Sequence, residues 1–210
     1  MNLQKLISEI LKIPEFEKLI GDNSDTSWQE RKRLEKKKPL YAAISLTGIS
    51  SEESRKWLNN HKEIQKLWWG ICWGLIGDES EEAWQVREYL RFDKKVKRPR
   101  GMRWTLFKKF LGLHKSKQLF NLRVKVNKLI GNKFLGWMEP GDVVISTTGL
   151  DTERAWDLRN EFENIAPAEV LISLADNFSD KAQKLREKYK RDKKLRWALK
   201  ISTRLGPNQS

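Results

Sequence analysis

A short pattern that returns six times along one chain forces each copy into the same local structure, and this narrows the fold more than any single residue does. The copies align on Trp28, Arg55, Trp84, Phe120, Trp156 and Gln183. Four places earlier stand Ser24, Ser51, Ser80, Ser116, Thr152 and Ser179, residue types that cap a helix by accepting from its free N–H groups. Seven places before the anchor come Gly21, Gly48, Gly77, Leu113, Gly149 and Asp176, four of them glycines suited to closing a helix in the left-handed region. Sixteen before it are Lys12, Pro39, Trp68, Trp104, Pro140 and Pro167, and proline is at home in a first helical turn. Each copy therefore reads as two helices joined by a tight turn; the first departs, with Pro14 two places late.

The second copy shows the grammar most clearly. The apolar stretch from Leu40 to Leu46 makes a first helix, Gly48 closes it, and Ser51 caps a second helix with Glu52 and Glu53 near its positive end. Anchors are spaced 27, 29, 36, 36 and 27 residues apart, and most of the variation falls between units. No such hairpin can bury its apolar face alone, so the units are expected to stack as one elongated all-α solenoid over residues 1–210. Residues 1–21 read as N-terminal capping helices, where Leu3, Leu6, Ile7, Ile10 and Leu11 have helical spacing; 22–192 hold the repeats. Residues 193–204 read as a closing helix without a second helix behind it, and 205–210 as a tail. Val143, Val144 and Ile145 are the one β-branched run of note, and the register places them in a first helix.

Ten tryptophans supply much of the apolar area, and Trp28, Trp84 and Trp156 share one repeat position while Trp68 and Trp104 share another, which predicts packing between helices. Cys72, the one cysteine, lies among Trp68, Trp69, Ile71, Trp73 and Leu75 and reads as a small buried apolar residue. The N-terminus has no secretory leader pattern and no apolar run is long enough to span a bilayer, so a cytoplasmic location is expected.

The formal charge of +14 is unevenly placed. From Arg91 to Lys117 eleven Lys or Arg stand against Asp93; from Asp180 to Arg204 eleven stand against Asp180, Glu187 and Asp192; Arg31 to Lys38 adds six bases against Glu35. Such runs often form only a solvated face. Presented along a helical stack, they would instead neutralise backbone phosphates without sequence preference.

A second ladder, Arg31, Arg87, Arg123, Arg159 and Arg186, occurs three residues after the anchors. An arginine at a fixed repeat position suits a lock between units, with Asp25, Glu81, Asp151 and Asp180 as candidate partners; lining a phosphate track is the alternative. Catalytic patterns are sparse. Two histidines, His61 and His114, with one cysteine make no zinc set, and no phosphate-binding loop of the form GxxxxGK[ST] occurs, so no metal or cofactor is expected. One thread remains: Arg55 and His61 have the Arg-x5-His spacing of HEPN-class helical ribonucleases, although a histidine at this helix position is more simply structural.

The wording of the units, especially Gly149 to Arg159 followed by Ala166 to Leu174, resembles the helical repeats that extend some bacterial thymidylate kinase-like proteins, and more broadly HEAT-like repeats, over about Ser24 to Tyr189. The resemblance implies a right-handed α-solenoid of about six hairpins. It implies no phosphoryl transfer, because the kinase part is absent. The DNA alkylation-repeat glycosylases offer a precedent for such a stack gripping nucleic acid, without a motif of theirs appearing here. The leading expectation is a non-catalytic protein that binds the nucleic-acid backbone, RNA or DNA, as an accessory subunit alongside other proteins of a complex. Its binding residues would be Lys95, Lys97, Arg98, Arg100, Arg103, Lys108 and Lys109, with Lys190, Arg191, Lys193 and Lys194. An adaptor for an acidic protein partner is the alternative, and a ribonuclease using Arg55 and His61 the third.

Overall fold

The capping residues decide where each helix begins in the computed structural model, which describes residues 18–91 and 140–203 together with positions 117 and 121. Ser24 caps α1 (Asp25–Lys37) by accepting from the Ser27 N–H, and Ser51 caps α3 (Glu52–His61) by accepting from the Ser54 N–H. Ser80 and Ser179 do the same for α5 (Glu81–Arg91) and α8 (Asp180–Tyr189). Thr152 precedes α6 (Glu153–Phe162) in extended conformation without a side-chain cap bond. The turns before these caps all carry one residue of positive φ: Gly21, Gly48, Gly77, Gly149 and, without glycine, Asp176 at 65°.

The first helices are shorter and more apolar. They are α2 (Pro39–Ser45), α4 (Trp68–Gly74), a 3-10 helix Pro140–Thr147, α7 (Pro167–Ser173) and α9 (Arg196–Ser202). Val143, Val144 and Ile145 are buried inside that 3-10 helix, so the register outweighs their strand propensity, and no strand occurs among the described residues. The described part is all-α. Successive first helices touch in chain order, α2 on α4, α4 on the 3-10 helix, that helix on α7, and α7 on α9. Their side chains form the main core, with Trp69, Ile71, Cys72, Trp73, Val143, Val144 and Leu171 all at 1% exposure or less.

The turns stack in register. The Gly48 N–H donates to the Ile76 carbonyl, the Thr47 hydroxyl to the Trp73 carbonyl, the Ser50 hydroxyl to the Gly77 carbonyl and the Asn177 amide to the Leu150 carbonyl. These bonds satisfy carbonyls left over at helix ends. Because turns stack on turns, the described connections from a second helix to the next first helix fall on the opposite edge. The short linker at Lys38 and the connections 62–67, 163–166 and 190–195 lie there.

Between the third and fifth copies the order of stacking differs from simple succession. Arg87 in α5 bonds Ser146 of the 3-10 helix, Glu81 pairs with Arg154 at 2.7 Å, and Arg91 pairs with Glu161 at 2.5 Å. The third unit thus packs directly on the fifth. The fourth copy, with Trp104, Ser116, Phe120 and Arg123, lies outside the described residues, as do residues 1–17 and 204–210.

The arginine ladder locks units together, but its partners are not the expected carboxylates. Arg159 Nη2 donates to the carbonyls of Thr147 (2.7 Å), Leu150 (2.8 Å) and Ser173 (3.2 Å), and Nε donates to the Ser173 hydroxyl (3.0 Å). Arg31, Arg87 and Arg186 repeat this set on Leu19, Asp22 and Ser45, on Leu75, Asp78 and Ser146, and on Leu174, Asn177 and Ser202. Among the described residues none of the four is in an ion pair. The physical reason is local supply. The end of each first helix and its turn present several carbonyls that one guanidinium can gather, whereas of the expected acids Glu81 pairs with Arg154 and Asp151 accepts from the side chains of Trp156, Asn177 and Ser179.

The second unit has Leu58 at the ladder position, and the residue that would be the serine is Gly74. A β-carbon on Gly74 would stand 2.5 Å from the Ala43 carbonyl oxygen and 3.1 Å from Leu58, so the rung is replaced by close backbone contact. Two outcomes follow for urea unfolding. Arg159→Ala, which removes a buried side chain and its hydrogen bonds to Thr147, Leu150 and Ser173 between two units, lowers stability by about 3 kcal/mol or more. Gly74→Ala lowers it by roughly 1–3 kcal/mol through overpacking.

Candidate nucleic-acid interface

Phosphate contact requires bases that reach solvent, which removes the four described ladder arginines from consideration. Arg31, Arg87, Arg159 and Arg186 are between 0% and 9% exposed. Burial pushes the guanidinium of Arg31, Arg87 and Arg159 down to about 10, opposed by the nearby charges of Asp22, Asp78 and Asp151 respectively. All three stay cationic at neutral pH. Their charge is shared with indole faces: the guanidinium carbons lie 5.0, 4.7 and 4.9 Å from the rings of Trp28, Trp84 and Trp156. Trp84 is held on both sides, since Arg154 of the next described unit also sits 4.7 Å from its ring, and Trp156 has Lys181 at 5.9 Å.

The bases near the C-terminus have the opposite character. Lys190, Arg191, Lys193 and Lys194 are all exposed and fill the connection between α8 and α9. Lys190 pairs with Glu187 at 3.1 Å, a bridge between two exposed groups that contributes little. Asp192, the other acid nearby, is occupied by the turn, accepting from the Lys194 backbone N–H at 2.8 Å. Arg191, Lys193 and Lys194 have no carboxylate partner among the described residues. Lys95, Lys97, Arg98, Arg100, Arg103, Lys108 and Lys109 lie outside the described residues. The stretch holding them, 92–139, contains fourteen Lys or Arg against Asp93 and Glu139, and so carries +12 of the chain's +14. It leaves from the end of α5 and returns at Pro140, both on the connecting edge.

Arg55 and His61 are each engaged separately. Arg55 Nε donates to Asp78 at 3.1 Å and its Nη2 to the Ser50 carbonyl at 2.8 Å. His61, six residues on and so about 9 Å along the helix, lies 3.1 Å from Glu35 through Nε2 and 2.8 Å from the Trp57 carbonyl through Nδ1, its ring stacked 3.9 Å from Trp57. Glu35 also accepts from the Trp57 indole at 3.1 Å. The group ties α1 to α3. Among the described residues no set of three or more His, Cys, Asp and Glu has the grouping of a metal site, and no helix is long and apolar enough to cross a membrane.

Several structural roles escaped sequence reasoning. The ladder serines Ser45, Ser146 and Ser173 stand three residues before the turn residue, a regularity visible in the aligned copies once its meaning is known. Asp22, Asp78 and Asn177 follow the turn residue directly and accept from the N–H of the helix-capping serine. Comparison with protein-family models, curated proteins and solved structures gives no match. The functional reading therefore rests on the residues themselves.

One of the turn acids gives a pH prediction. Burial acts to raise the Asp151 carboxyl, but bonds from Asn177, Trp156 and Ser179 outweigh it and hold the group below its ordinary value of 3.8. An acid depressed in the folded state contributes stability above its unfolded value and loses it as pH falls through the folded one. Unfolding followed from pH 6 down to about pH 2.5 should show a smaller acid-induced loss in Asp151→Asn than in the parent.

Proposed function

We propose that this chain is a non-catalytic, HEAT-like right-handed α-solenoid that binds the phosphate backbone of nucleic acid in the cytoplasm, as an accessory subunit of a nucleoprotein complex. The observation that carries the reading is the group Arg191, Lys193 and Lys194. These bases are exposed, stand in one short connection, and lack carboxylate partners among the described residues. Helix stability does not require them, because they lie beyond the last turn of α8, where a cation's interaction with the helix dipole has faded. The composition of 92–139 supports the same reading, with most of the net charge concentrated in a stretch attached to the same edge. An adaptor for an acidic protein would also use these bases, but needs no such excess of arginine and lysine over nearby acids.

A ribonuclease built on Arg55 and His61 has less support, since each side chain already has its own partners within the fold. The deciding measurement is fluorescence anisotropy of labelled RNA and DNA of about 30 nucleotides, titrated between roughly 50 and 300 mM salt. Affinity should fall steeply with salt. The triple change Arg191→Ala, Lys193→Ala and Lys194→Ala should lessen the log–log slope by about 2.7, at 0.9 per lost phosphate contact on a duplex. Replacing Lys97, Arg98, Arg100 and Arg103 should lessen it by about 3.6 on the same scale. Absence of binding at low salt would transfer the charge to the adaptor reading.

A further inference from the structure

Charge in the described residues is sorted by edge. The turn edge carries Asp22, Asp25, Glu52, Glu53, Asp78, Glu79, Glu81, Glu82, Asp151, Glu153, Asp176 and Asp180, and between each turn residue and the second position of the helix that follows the bases are Arg154, paired with Glu81, and Lys181. The connecting edge carries unpaired bases at both ends of the described stack, Lys36 and Lys37 at the close of α1 and Arg191, Lys193 and Lys194 after α8, with Lys66 between them. Acids do occur on this edge: Glu161 and Glu163 are neutralised by Arg91 and Lys188 at 2.5 and 2.6 Å, while Glu63 is exposed in the same connection as Lys66. Helix dipoles account for acids at helix starts and for Lys36 and Lys37. They do not account for Lys66, Arg191, Lys193 and Lys194, which lie outside the α-helices.

The two edges are held apart by the fold. The stacked turns fix one edge, and contacts at the starts of the first helices fix the other: a β-carbon on Gly70 would stand 2.8 Å from Leu40, and one on Gly141 would meet Ala166. From α2 to α9 there are five first helices in contact, hence four spacings of about 8–10 Å, or roughly 32–40 Å in all. At 3.4 Å per base pair, that is a reach of about 9–12 base pairs.

Aromatic rings bear on which kind of strand fits the described edge. Proteins that hold single strands stack the bases on exposed rings. Here Trp68, Trp69, Trp73, Trp84 and Trp156 are buried, and the exposed aromatics among the described residues are Tyr89 and Phe178. Phe178 is on the turn edge. Tyr89 is taken up by Lys62, whose Nζ lies 5.5 Å from its ring centre, and by the edge of Trp68.

We propose that the partner is a nucleic-acid duplex laid along the connecting edge, gripped through its phosphates at both ends of the stack, with the acidic turn edge facing away. This rests on the nucleic-acid reading above and adds to it the strand state, the edge and the footprint. The test titrates the full chain with duplexes of 6, 12 and 24 base pairs and with a 24-nucleotide single strand, across salt. The parent, Lys36→Ala/Lys37→Ala, Lys193→Ala/Lys194→Ala and the fourfold variant are compared, and circular dichroism melts check that each stays folded.

Affinity is expected to level off near 12 base pairs and to exceed that for the single strand. Each double variant should lessen the salt slope on the 24-mer duplex by about 1.8, and the fourfold variant by about 3.6, with one duplex bound per chain. If Lys36 and Lys37 have no effect while Lys193 and Lys194 do, the spanning track is overturned although nucleic-acid binding stands. Preference for the single strand overturns the duplex. No binding of any of them overturns the nucleic-acid reading itself.

Discussion

A guanidinium buried without a carboxylate is the interaction on which the rest of this structure depends. Arg31, Arg87, Arg159 and Arg186 each gather two carbonyls from the turn of their own unit and the serine hydroxyl and carbonyl of a first helix in the adjoining one. Neutral acceptors solve a problem that an ion pair would not. The carbonyls at the end of a first helix are buried and need donors in any case, and one planar group with five N–H donors serves several at once. Those bonds offset the desolvation cost, and an aromatic face adds to them: the indole three residues earlier for Arg31, Arg87 and Arg159, and the Phe178 ring for Arg186. The lock therefore does three things: it closes a helix end, seats an aromatic ring and sets the neighbouring unit's position.

This explains why one unit can abandon the arrangement. Where Leu58 replaces the arginine, Gly74 replaces the serine, and the backbone of α4 approaches α2 so closely that a side chain would strike the Ala43 carbonyl. The two solutions are alternatives, one polar and one by contact, and each demands its own pair of residues. The same lock also reveals the adjacency of the third and fifth copies, because Arg87 bonds Ser146 across 59 residues where Arg31 and Arg159 reach their serines across 14. The strongly basic stretch 92–139 thus begins and ends where two units already fit together.

The proposed function draws on what the lock leaves outside. With the four described ladder arginines and most of the described tryptophans consumed by packing, the described surface has more acids than bases at the turns and keeps unpaired bases at the connections, two edges separated by the length of the helices. Such a surface suits the proposed recognition of charge and shape. Arg55 and His61 illustrate the limit of motif spacing. Six residues on one helix are a pattern in sequence, but in space Asp78 claims the first side chain and Glu35 the second.

Periodic residues alone determined the helices. Serines and glycines act on their own neighbours in the chain, so Ser24, Ser51, Ser80 and Ser179 mark helix starts and Gly48 and Gly77 mark turns without reference to anything distant. Even Val143 to Ile145 yielded to that register. The partners of the arginines were not legible, because a guanidinium accepts carboxylate or carbonyl equally well on paper and only the packed geometry brings one of them within reach. Nor was the direct seating of the third unit on the fifth, since nothing in the spacing of copies says which of them touch. Those choices belong to the tertiary structure, where burial makes an unpaired polar group costly and thereby selects among pairings that the chain permits.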